Sequence, residues 1–178
     1  MFSNILIAVD GSESAAQAFE TALQFACATG GRLHPLFVID LPVMSPEVPG
    51  VNAAAMREAL RQDGERIMKH CVGTMARHGV QGMPEIDDLV RPEEDVAYRI
   101  EVAAAKLHAD LIVIGTHGRR GPGYAPLGSV AEQILRSTTC PVLAIPARRA
   151  APAGETQGAG TATTDSRVEI PVVGPSTA

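Results

Sequence analysis

Short apolar runs rich in β-branched residues alternate along the chain with stretches whose apolar positions return every three or four residues. The first run, NILIAVD (4–10), ends in the turn DGSES, which carries helix-capping residues. Ser14 with Gln17 fits a capping box and predicts a helix through about Thr29, with Ala15, Ala18, Ala22, Phe25 and Ala26 along one stripe. Gly30 and Gly31 stop it. RLHPLFVID (32–40) predicts a second strand, and Pro35 implies a late start or a bulge. The proline-rich LPVMSPEVPG (41–50) reads as an extended connection. A helical pattern then runs from about Asn52 to His78, with Met56, Leu60, Ile67, Cys71 and Met75 on one face. PEIDDLV (84–90) predicts a third strand. Pro92 and the acidic EED open a helix whose Val96, Ile100, Ala104 and Leu107 share a face. DLIVIG (110–115) is unbroken apolar and predicts a strand buried on both sides. A glycine-rich loop and the helical VAEQILRS precede the last strand, CPVLAIP (140–146).

Strands alternating with helices predict an α/β fold, a doubly wound open parallel sheet with helices on both faces. Right-handed crossovers leave few topologies. Residues 147–178 are dominated by Ala, Gly, Thr, Pro and Ser until a brief VEIPVV, and predict a low-complexity, disordered tail behind a domain of residues 1–146.

Composition narrows the function. Fifteen basic against twenty acidic residues give a formal net charge of −5, and there is no Trp. Neither a basic stripe nor a base-stacking platform is present, so no nucleic-acid partner is expected. No apolar stretch approaches the roughly 20 residues of a membrane span, and the N-terminal segment lacks a basic signal-peptide region. No membrane partner and a cytoplasmic address are expected. Cys27, Cys71 and Cys140 form no CxxC pair and read as buried small hydrophobes.

The chemistry is expected in GTHGRRGPGYAPLGS (115–129), where five glycines and two prolines fall in fifteen positions. Open parallel sheets bind ligands outside the carboxyl ends of their strands, where Asp10 and Gly115 lie. Gly118 admits positive φ or a close backbone approach, and Gly128 and Ser129 begin the next helix, whose free N–H groups favour an anion. The loop therefore reads as a phosphate cradle, with an ordinary glycine-rich surface turn as the alternative. No P-loop and no G-x-G-x-x-G follow the first strand, and the only lysines are Lys69 and Lys106.

The spacing Gly115-x2-Gly118-x9-Gly128-Ser129 resembles the nucleotide-binding signature of the universal stress proteins, in their ATP-binding branch. ILIAVDGSESAAQAF resembles that family's opening, FVID its second strand, and ADLIVIGTHGR…GSVAEQILRSTTCPVLAIP its C-terminal half. The resemblance covers roughly residues 1–146 and implies five strands in the order 3-2-1-4-5. It implies ATP as ligand, with Mg or Mn accompanying the nucleotide. Ala8 and Asp10 would flank the nucleotide, Asp10 near the ribose or a phosphate-bound metal, and the Val38 backbone would face adenine. Gly115, Gly118, Gly128, Ser129 and Val130 would line the phosphates, with His117 and Arg119 beside them. It also places the fifth strand at a sheet edge, where pairing with a second copy would give a homodimer.

Each residue has a plainer reading. Asp10 is also an ordinary turn residue, His117 an exposed loop histidine, and Arg119 and Arg120 solvated surface. Three functions are open: an ATP-dependent stress-response regulator, a slow ATPase or adenine-nucleotide hydrolase, and a receiver-type module. The second lacks an evident base beyond Asp10 and His117, and VDGS lacks the acidic cluster of the third.

Overall fold

A computed structural model describes residues 2–41, 52–118 and 127–147. Nine elements succeed one another: β1 (Asn4–Ala8), α1 (Glu13–Thr29), β2 (Arg32–Ile39), α2 (Ala53–Arg77), β3 (Glu85–Asp88), α3 (Val96–Lys106), β4 (Leu111–Gly115), α4 (Ser129–Ser137) and β5 (Val142–Ile145). The five strands form one parallel sheet in the order β3-β2-β1-β4-β5. Period-two alternation divides each central strand between two cores. Ile5, Ile7, Leu33, Phe37, Leu111 and Val113 face α1 and α2, whereas Leu6, Leu36, Ile112 and Ile114 face α3 and α4.

Several local expectations change. Ser12, not Ser14, caps α1: its side chain accepts from Ala15 N–H, and Ser14 lies buried inside the first turn. A serine one turn early satisfies an end donor only from extended backbone, which Ser12 has at φ −73 and ψ 161. Gly30 closes the helix in the left-handed region at φ 67, as its position predicts. Phe25 falls off the core stripe, which runs instead through Phe19 and Leu23; it packs edge-on against Phe2, with ring centroids 6.5 Å apart.

Pro35 neither delays nor bulges β2, which begins at Arg32. Arg32 N–H bonds Ser3 on the β1 side, Leu33 N–H bonds Gln81 on the other, so alternation turns the Pro35 nitrogen toward β3. The β3 ladder starts only at Leu36, and the missing donor costs no bond there.

The long helix matches its expected span, with Asn52 capping its start. It is buried only from Gly64 onward, so Met56 is exposed and Met68 takes the core position. β3 is shorter than expected. Pro92 and Glu93 form a turn, and Asp95 is the α3 cap, accepting from Tyr98 N–H at 2.8 Å. Cys27 is exposed rather than buried, while burial pushes the Cys71 thiol up to about 11 and keeps it protonated.

Candidate functional site at the carboxyl edge of the sheet

β1 and β4 are neighbours, but the helices after them leave to opposite faces. Their carboxyl ends therefore part, and a crevice opens where the strand order reverses. A cavity of about 490 Å³ occupies it. One wall is apolar, built from Ala8, Leu36, Val38, Val96, Ile100 and Ile114. The rest of the lining includes Asp10, Thr116, His117, Gly118, Gly128 and Ser129.

The fold places Ala8, Asp10, Val38, Gly115, His117, Gly118, Gly128, Ser129 and Val130 around this one cavity. Arg119 and Arg120, residues 42–50 of the 41–50 connection, and residues 148–178 of the expected tail with its VEIPVV segment lie outside the described residues. Asp40, Thr116, Val96 and Ile100 line the cavity without having been anticipated. Val96 and Ile100 read as core positions of α3 because helical periodicity marks an apolar face and does not say which part of it meets a ligand. Asp40 carried a signal, an acid directly after an apolar strand.

The walls have local causes. Asp10 sits two residues past β1, and Gly11, at φ 84, turns the chain so that Ser12 N–H donates to Asp10 Oδ1 at 2.9 Å. The β1–β2 ladder ends where Val9 N–H meets the Leu36 carbonyl. Strand alternation turns the N–H and C=O of Val38 to that same side, beyond the point where β1 has left. A donor and an acceptor thus stand together at the apolar wall.

At the same cavity, α4 starts at Ser129, and its N-cap Gly128 makes no side-chain cap. Gly128 N–H is used by the Thr116 carbonyl at 2.7 Å. The N–H groups of Ser129, Val130 and Ala131 have no intrahelical acceptor and carry the positive end of the helix dipole. Gly118 keeps out of the positive-φ region, and its role is close approach: a Cβ there would stand 2.9 Å from Asp10 Oδ2. A Cβ on Gly128 would press on the Thr116 carbonyl at 3.2 Å. Thr116 Oγ1 lies 3.0 Å from His117 Nδ1, so the imidazole is held beside the cavity. Among the described residues no group of His, Cys, Asp or Glu is clustered to hold a metal ion, and no helix is long and apolar enough to cross a membrane.

Residues 1–146 match the model of the universal stress protein family. The chain belongs to that family. Universal stress proteins of Thermus aquaticus and Methanocaldococcus jannaschii are 36% and 30% identical to it; each alignment covers 82% of this chain, with 99% and 82% of the relative. A solved universal stress protein from Burkholderia pseudomallei is 39% identical, with a TM-score of 0.68 over 82% of this chain and 96% of its own. More distant universal stress proteins share the fold, among them an Arabidopsis thaliana protein solved with AMP bound and an Archaeoglobus fulgidus protein in complex with dAMP, each 22% identical. The universal stress protein frame accounts for the order of the five strands and for the crevice between β1 and β4.

Proposed function

We propose that this universal stress protein binds ATP in the cavity and acts as a nucleotide-dependent regulator of the stress response. One observation carries the reading: apolar residues around Val38 and the N-terminus of α4 line a single cavity. The first suits a purine ring, with the Val38 N–H and C=O able to pair its edge. The second suits phosphate, where a charge-assisted hydrogen bond contributes about 1.5–3 kcal/mol. The adenine nucleotides held by distant proteins of the same fold support this choice of ligand class. Asp10 offers one carboxylate beside the phosphate side, a donor set that fits Mg or Mn held chiefly by phosphate oxygens. Mass spectrometry of nucleotide released from the purified protein, followed by calorimetric titration with ATP, tests the reading. A saturable 1:1 heat of binding is expected, and none would refute it.

Slow hydrolysis is the second reading, favoured by the Thr116–His117 contact that orients an imidazole at the cavity. Steady-state turnover near the median enzyme rate of about 10 s⁻¹ would select it over regulation by occupancy.

The assembly belongs to the same proposal. β5 is an edge strand of half-buried Val142, Leu143, Ala144 and Ile145. At the opposite edge the acidic β3 is occupied by Arg57, Arg99 and Lys106, which engage Asp88, Asp87 and Glu85. Among the described residues charge guards the β3 edge and not the β5 edge, so a two-fold pairing through β5 is the economical dimer.

A further inference from the structure

We propose that Ser14 is a positioning residue for the phosphate side of the cavity, acting through the backbone of His117. The inference rests on the nucleotide-binding reading. Ser14 is 2% exposed and does not line the cavity, so it has no route to a ligand of its own. Its hydroxyl donates instead to the His117 carbonyl. Ser12 Oγ reaches the same carbonyl at 3.3 Å and lies 3.4 Å from Ser14 Oγ, so two hydroxyls from the start of α1 converge on one acceptor.

The contact exists because Gly115 has no side chain. A Cβ there would stand 2.5 Å from Ser14 Oγ and 2.9 Å from Ala15 N. The first turn of α1 therefore closes onto the end of β4, and Ser14 grips the chain two residues further on. That grip fixes the adjoining backbone. Gly118, next after His117, lies against Asp10, and the Thr116 carbonyl holds Gly128 N–H at the start of α4. One buried hydroxyl thus ties the β1–α1 turn to the segment leading toward the phosphate loop. Ser14 acts on where the Gly118 and Ser129 amides point, while the apolar wall at Val38 and Ile100 owes nothing to it.

That division makes the inference testable with two ligands. The full chain and its Ser14→Ala variant are titrated with ATP and with adenosine, which lacks phosphates. Loss of one positioning hydrogen bond should weaken ATP binding about 5- to 10-fold, with adenosine affinity unchanged. A general loss of stability would weaken both ligands together and would overturn the inference, as would equal ATP affinity in wild type and Ser14→Ala. Wild type that binds neither ligand would refute the nucleotide reading itself, and the role of Ser14 with it. In the ligand-free proteins the amide resonance of Gly118 should move in Ser14→Ala; an unmoved resonance would also count against the tether.

Discussion

Replacing Gly118 by valine tests whether the loop after β4 holds phosphate. A Cβ at this position would stand 2.9 Å from Asp10 Oδ2. The obstructing atom ends a side chain and can swing away, so the fold should survive. The swing breaks the 2.9 Å bond from Ser12 N–H to Asp10 Oδ1. Losing that charge-assisted hydrogen bond costs about 1.5–3 kcal/mol, and solvent at the half-buried carboxylate lowers it. At roughly 2–4 °C per kcal/mol for a chain of this size, the melting temperature should fall by only a few degrees. Binding should suffer more. The two added methyls stand where phosphate would approach, and denying a single charge-assisted contact weakens Kd about 10- to 150-fold. Calorimetry gives the affinity, and a thermal melt confirms that the variant is folded. A folded Gly118→Val protein that binds ATP as tightly as wild type would refute this placement of the phosphates.

Gly64→Ala should destabilise the protein, because a Cβ there meets the fully buried Phe37 ring at 2.7 Å. Overpacking costs about 1–3 kcal/mol and outweighs the roughly 1 kcal/mol of helix propensity that alanine gains; a higher urea midpoint than wild type would contradict this. Burial, then the nearby Arg32, hold the His34 pKa below its ordinary 6.5. Below pH 6.5 the unfolded chain takes up a proton that folded His34 resists, so stability should fall with pH until the folded group also titrates. Urea midpoints at about pH 7.5 and about pH 5.5, on either side of the ordinary histidine pKa, should differ less in His34→Leu than in wild type, and an equal difference would refute the assignment. Light scattering on the full chain and on a chain ending at Arg149 tests the β5 dimer. Dimers in both are expected; a full-length monomer that dimerises only on truncation would show that the tail caps β5, and monomers in both would exclude edge pairing.

The architecture was legible because its signals are local and repeated. β4 is buried on both faces and reads as an unbroken apolar run, and α2 carries both its cap at Asn52 and its periodicity. Glycine spacing drew Gly115, Gly118 and Gly128 to one cavity. What escaped depends on partners distant in the chain. Pro35 is harmless only because β3 starts one residue later, and Met56 is exposed because α2 is fully buried only from Gly64 onward. Ser14 reads as a cap by its neighbours in sequence, yet its partner is 103 residues away. Gly115 likewise reads as a ligand-facing glycine, while the atoms that forbid its side chain belong to α1.

The central claim is that an adenine nucleotide occupies the crevice between β1 and β4. Titrating ATP into isotopically labelled protein and following backbone amide resonances tests it most directly. Saturable shifts are expected at Val38, Gly118, Ser129 and Val130, with the amides of α2 and β3 undisturbed. Saturable shifts centred elsewhere, or no shifts at millimolar ATP, would contradict it.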